Sequence, residues 1–177
     1  MTRRPLREAS GGAQLLSHSS ETRQLIAILA VLEICVACFV SVMIPAPLRP
    51  YHAAFEVLLV AAGFGAVAAM ARHPHVVSDS RLVLRTGFLG ELAVPREAVR
   101  TTSRVMRSIS GRGLRPVPGE ERAVVCSVAS TVNVRIQLDP PVAVDLGKRG
   151  MVQASEIYVS ADSPEAFLRA VRMSGTP

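Results

Sequence analysis

The sequence predicts an α+β membrane protein: a two-helix transmembrane hairpin, then a seven-stranded β module closed by a C-terminal helix. Three observations predict it. Two long apolar runs flank a proline-rich hexapeptide. From residue 79 the hydropathic period changes to two, as in half-buried strands. A proline-led amphipathic segment then follows the last alternating run.

The hairpin comes first in the chain. Residues 24–44, "QLIAILAVLEICVACFVSVMI", and 51–71, "YHAAFEVLLVAAGFGAVAAMA", both approach the ~20 residues that cross a bilayer as helix. The intervening "PAPLRP" carries Pro45, Pro47 and Pro50, which stop one helix and turn the chain, so the hairpin occupies 23–72. A cleaved signal peptide fits poorly, because the apolar run starts late, is too long and has no small-x-small site after it. Composition agrees: 49% of residues are hydrophobic and mean hydropathy is +0.33, high for a soluble chain.

Positive charge sets the expected topology. Arg3, Arg4, Arg7 and Arg23 precede the first span, and Arg72, Arg81 and Arg85 follow the second; the turn holds only Arg49. Both termini are therefore expected in the cytoplasm. Residues 1–22, rich in Ser, Gly and Arg without an apolar period, read as a disordered basic tail. Small residues at positions 61, 62, 63, 65, 68 and 69 let helix backbones approach, within the chain or between copies.

Three polar residues interrupt the spans. Glu33 lies roughly 15 Å into the first by the 1.5 Å rise per residue, and Glu56 and His52 share a face of the second. Intramembrane acids are costly and imply a partner or a proton. They suggest either a hydrogen bond across the helix interface or an ion or proton relay. Cys35 and Cys38 form a C-x-x-C inside an apolar helix, where a thiolate is disfavoured. With Cys126 the cysteine count is odd, so reduced thiols are expected rather than a disulfide framework. His73 and His75 flank Pro74; two histidines alone make no metal site, and His75 reads as a boundary residue.

In the β module, "SRLVLR" and "ELAVP" flank the turn "TGFLGE", and "AVRTTSRV" forms a third strand. "SISGRGLRPVPGEE" reads as a Gly/Pro loop, followed by "RAVVCSV", "TVNVRIQL", "PVAVDLG" and "ASEIYVS". In "DSPEAFLRAVR", Ser163 or Asp162 can cap, Pro164 suits the first turn, and Phe167, Ala170 and Val171 make the apolar stripe. The whole suggests a small sandwich or partly open barrel. Joined to the second span by the eight residues "RHPHVVSD", it stays within roughly 26 Å of the inner leaflet at ~3.3 Å per residue.

"SDSRLVLRTGFLGELAVPREAVR", "VNVRIQLDPPVAV" and "IYVSADSPEAFLRAVR" resemble a bacterial pleckstrin-homology-like (PH-like) domain of membrane proteins, over residues 76–173. The resemblance implies a split barrel with a C-terminal helix, no enzyme activity, and a role in binding or assembly. The turn "TGFLGE" departs from phosphoinositide-binding relatives, which place basic residues there.

Charge and chemistry bound the function. The net charge is +6, from nineteen Arg and the single Lys148 against 14 acids. Codon usage in a GC-rich genome explains an arginine excess; so does recognition of phosphate or anionic lipid. Arg100, Arg104, Arg107, Arg112, Arg115 and Arg122 cluster in the third strand and the following loop and could meet anionic lipid; the first five are the candidate membrane- or partner-binding residues. Nucleic acid is not expected: Trp is absent, aromatics are 4%, and no reader motif accompanies the charge. No catalytic residue, cofactor, metal site or small-molecule substrate is identified, since nucleophiles lack a neighbouring base and no phosphate cradle joins strand to helix. The chain thus reads as a non-enzymatic adaptor or assembly factor that engages membrane lipids, a protein partner or itself. The alternative is a small membrane enzyme or ion/proton-coupling subunit using Glu33 with Glu56 and His52.

Overall fold

A computed structural model describes residues 13–18, 20–86 and 90–173, with Lys148 by backbone alone. Residues 1–12 of the expected tail and 87–89 of the first hairpin turn lie outside the described residues. Two apolar helices, α1 (Ser20–Met43) and α2 (Arg49–Ala71), are joined by a 3-10 turn at Ala46–Leu48. Pro45 stands at the cap of that turn and Pro50 in the first turn of α2, where a missing N–H breaks no helical bond. Both helices are long and apolar enough to cross a membrane. Only 6% of either apolar window is buried inside the protein, unlike the core helix of a soluble fold. They meet at Gly63, where an added Cβ would lie 3.3 Å from the Ala30 methyl.

The sheet-rich part holds nine strands among the described residues, not the seven expected. An antiparallel four-stranded sheet runs in order β1 (Gln14–Leu16), β2 (His75–Val77), β3 (Arg81–Arg85), β4 (Glu91–Pro95). A five-stranded sheet comprises β5 (Val99–Ser108), β6 (Gly113–Val117), β7 (Glu120–Ser127), β8 (Thr131–Asp145) and β9 (Met151–Val159), in order β5-β8-β9-β7-β6. Its β7–β9 pair is parallel and its other pairs antiparallel. Helix α3 (Pro164–Met173) follows.

Three corrections, together with β2 in what reads as a linker, account for the strand count. First, residues 14–16 of the expected disordered tail are strand β1, in register Gln14↔Val77 and Leu16↔His75. Three residues carry no period, and their partner lies beyond both helices. Second, "GLRPV" inside the expected Gly/Pro loop is β6, in which buried Gly113, Arg115 and Val117 alternate with half-buried Leu114 and Pro116. A buried arginine disguised the alternation, and Pro116 is tolerated because β6 is an edge strand. Third, "TVNVRIQL" and "PVAVDLG" are one strand, β8, whose register shifts between Gln137 and Val142, so the two prolines sit in a bulge.

The domain limits move accordingly. The sheet-rich part begins before the helices, because β1 precedes α1, and the expected start at 76 is too late. His75–Val77 of the supposed eight-residue linker belong to β2, which leaves Arg72–Pro74 as the connection.

Inward residues of both sheets share one core with the helix: Leu82, Leu84 and Val94 from the first sheet, Val134, Ile136 and Ile157 from the second, and Phe167, Ala170 and Val171 from α3. The outer face of the five-stranded sheet carries a smaller cluster around Val125, Val132 and Tyr158. At α3, Ser163 provides the cap, its Oγ accepting from the Ala166 N–H at 3.3 Å. Asp162 serves the other helix: its Oδ1 accepts the Ser20 N–H at 2.7 Å, at the start of α1.

Candidate functional site

The expected basic surface is largely neutralised by the fold. Arg100 pairs with Asp139 at 3.2 Å, Arg104 with Glu165 at 2.7 Å and Arg107 with Glu120 at 2.5 Å. Arg112 and Arg122 are exposed and have no ion pair among the described residues.

Arg115 is not a surface residue at all; it is 4% exposed. Its guanidinium donates to the carbonyls of Ile109 (2.7 Å), Ser110 (2.9 Å) and Gly113 (2.9 Å), and to Ser127 Oγ (3.2 Å). Burial, and next the nearby Arg149, lower its pKa. The segment 109–113 is therefore wrapped around a buried cation. Gly111 has φ +105, and an added Cβ would meet Arg115 Cδ and Nε at 3.0 Å, so both backbone conformation and space call for glycine. Sequence reading takes "SGRG" for a flexible loop because charge predicts exposure.

Strands β5, β7, β8 and β9 bring a charged network to the outer face of the larger sheet. Arg135 binds Glu156 through two hydrogen bonds, Nε to Oε2 at 3.0 Å and Nη2 to Oε1. The Tyr158 hydroxyl donates to Glu156 Oε2 at 3.1 Å, and the Arg107 guanidinium lies 5.2 Å from the Tyr158 ring centre. Arg135, Glu156 and Tyr158, with Glu120, Arg122 and Ser155, line a depression of about 420 Å³. The Arg135 hydrogen bonds hold the Glu156 carboxyl below its ordinary range; burial first, then Glu156, pushes the Tyr158 phenol up. At neutral pH the depression therefore presents paired charges and a protonated phenol. That chemistry suits polar recognition rather than proton transfer.

Between α1 and α2 lies a cleft of about 820 Å³, lined by apolar residues together with Cys38, Ser41, Arg49, His52 and Glu56. His52 Nδ1 is 3.5 Å from Glu56 Oε1, and its Nε2 is 3.4 Å from the Ala37 carbonyl oxygen. Glu56 Oε2 is buried without a hydrogen-bond partner. Glu33 does not line this cleft, so the three residues of the relay reading do not form one cluster.

A site not foreseen from the sequence lies where the helices join the sheets. His75, expected at a boundary, is fully buried. Its Nδ1 accepts the Arg85 N–H at 3.0 Å, and its Nε2 is 3.0 Å from the Ser160 carbonyl oxygen. His18 stacks on it, ring centres 4.4 Å apart and planes at 21°, and Phe167 meets His75 edge-on at 6.0 Å. His18 is 3% exposed, with both ring nitrogens unpartnered. Asp162 completes the junction, accepting from Ser20 and pairing with Arg23 at 3.5 Å. No local signal marks these residues: His18 stands in a Ser-rich stretch and its neighbours come from elsewhere in the chain. Among the described residues no three His, Cys, Asp or Glu side chains converge to hold a metal ion.

Comparison with protein-family models, curated proteins and solved structures found no match.

Proposed function

We propose that the chain is a non-enzymatic integral protein of the bacterial plasma membrane, with both termini cytoplasmic, whose sheet module is an adaptor or assembly factor. One observation carries the reading. The two apolar helices are inserted between β1 and β2, which are hydrogen-bonded neighbours in one sheet. The module is thus mounted by sheet hydrogen bonds on both chain crossings rather than hung from a flexible tether. A rigid mount at a bilayer surface suits a part that presents a face to a partner in fixed orientation. Two packed sheets with a closing helix support the PH-like resemblance; the parallel β7–β9 pair departs from an all-antiparallel meander.

Of the two surfaces such a module could engage, a protein partner is favoured over anionic lipid. Arg100, Arg104 and Arg107 are already paired with carboxylates and Arg115 is buried, leaving Arg112 and Arg122 as the free cations of that group. Two arginines supply about 2 kcal/mol of attraction at a surface, at roughly 1 kcal/mol each. The test is co-purification in mild detergent, together with hydrogen exchange of the sheet module in anionic and zwitterionic nanodiscs, of the full chain and its Arg112→Glu/Arg122→Glu variant. A protein retained by the wild type and lost by the variant supports the reading. Protection that depends on anionic lipid and is lost in the variant, with no protein partner in either sample, overturns it in favour of lipid. A reporter fused at residue 177 that reads extracytoplasmic refutes the topology.

A second reading, a proton-coupling subunit, is favoured by the contact of His52 with Glu56 and by the unpartnered Glu56 Oε2. In that case Glu56→Gln abolishes function at normal expression and assembly, while Glu33→Gln, outside the cleft, does not.

A further inference from the structure

We propose that the His18–His75 stack is a proton-operated latch between the apolar helix pair and the sheet module, closed while both imidazoles are neutral and released on acidification. The observations are geometric. The pair sits beside both chain crossings: His18 lies between β1 and α1, and His75 begins β2 just after α2. Phe167 of α3 packs against it, so the latch touches the module's closing helix as well.

Each ring is held in its neutral form. A backbone N–H can only donate and a carbonyl oxygen can only accept, so His75 carries its proton on Nε2 and has a bare Nδ1. A second proton on Nδ1 would face the Arg85 N–H and break that bond. His18 offers two buried nitrogens with no acceptor. The charged or titratable groups around the pair are Asp162 from the β9–α3 connection, Arg23 from α1, His73 from the α2–β2 connection and Arg85 from β3. Only Asp162 is negative; its Oδ1 accepts from Ser20, and its Oδ2, 3.5 Å from Arg23, is hydrogen-bonded to neither histidine. Protonation therefore requires the stack to open to water.

The titration behaviour agrees. Burial first, and then His18, lowers the His75 pKa to about 4. Burial likewise lowers that of His18, although Asp162 opposes the shift. The closed latch thus binds fewer protons than the open one. Its stability is fully present above the free histidine pKa of about 6.5 and falls as the pH drops toward 4, where it levels off. For His75 alone the ratio of open to closed changes about tenfold between pH 7.5 and 5.5; His18 adds to this. Opening takes the short strand β1 and the cap of α1 with it, so the module loses its fixed orientation on the helices.

Hydrogen exchange on the full chain in lipid nanodiscs tests the latch. After correction for the intrinsic pH dependence of exchange, opening of segments 13–23 and 72–85 rises at least about tenfold between pH 7.5 and 5.5, while segment 131–138 in the core does not follow. His18→Phe keeps an aromatic ring in the stack and removes one titrating group, so its pH dependence is shallower. Junction opening that is independent of pH in the wild type, or equally steep in His18→Phe, overturns the proposal. If that variant does not fold, histidine-labelled NMR of the wild type decides. Two imidazoles that stay neutral well below pH 6.5, one of them with its proton on Nε2, support the latch; ordinary titration of all four histidines refutes it.

Discussion

Asp162 accepts the Ser20 backbone N–H at 2.7 Å, so a residue late in the chain caps the first apolar helix. The same carboxylate pairs with Arg23 in the first turn of α1, and the Asp162 N–H donates to the Ser17 carbonyl at 3.2 Å. One side chain thus joins the membrane-type hairpin to the module across most of the sequence. Asp162→Ala is expected to destabilise the junction by about 1–2 kcal/mol, the range for a lost helix cap. Asp162→Asn keeps an oxygen acceptor and should cost less. Hydrogen exchange of segment 13–23 at neutral pH measures both; equal effects for Ala and Asn would refute the capping role.

Arg115→Met leaves the carbonyls of Ile109, Ser110 and Gly113 without their donor. The bonds to Ile109 and Gly113 are buried and that to Ser110 is partly exposed; at about 1–3 kcal/mol for each buried orphan acceptor, a total near 3 kcal/mol lowers Tm by roughly 6–12 °C in a chain of this size. Arg115→Lys recovers only part of this, because an ammonium lacks the planar fork. Thermal unfolding followed by circular dichroism in detergent checks the order: wild type, then Lys, then Met.

Phe167 is fully buried, in the core shared by both sheets and edge-on to His75. Phe167→Ala is expected to cost about 3–5 kcal/mol, and Phe167→Leu markedly less because it conserves more volume. Urea titration of the full chain in detergent reads the difference. A small effect of Ala would show that α3 does not close the core.

Burial pushes the Cys126 thiol up to about 12. At pH 8 its thiolate fraction is then on the order of 1 in 10,000, so alkylation of Cys126 should await unfolding. Mass spectrometry after timed iodoacetamide treatment, with and without denaturant, shows whether it does. Rapid native modification of Cys126 would contradict its position in the core.

Much of the architecture was legible because it rests on local pattern. The two helices follow from unbroken apolar runs with prolines between them, and α3 from its Ser-Pro-Glu start and the stripe Phe167, Ala170, Val171. β8 showed its alternation from Val132 to Leu138. The candidate sites were much less legible. Arg115 looked like surface charge, and only the enclosing carbonyls of 109–113 show otherwise. Arg100, Arg104 and Arg107 looked free because their partners Asp139, Glu165 and Glu120 come from other elements.

Sequence alone determined which segments are helical and apolar and that an alternating, strand-forming stretch and an amphipathic helix follow them, since these depend on side-chain periods a few residues long. The tertiary structure decided that residues 14–16 belong to the sheet, that His18 stacks on His75, and which arginines remain available for recognition. Those outcomes depend on pairing between segments dozens of residues apart. Such pairing satisfies backbone groups and charges through partners that no local pattern names.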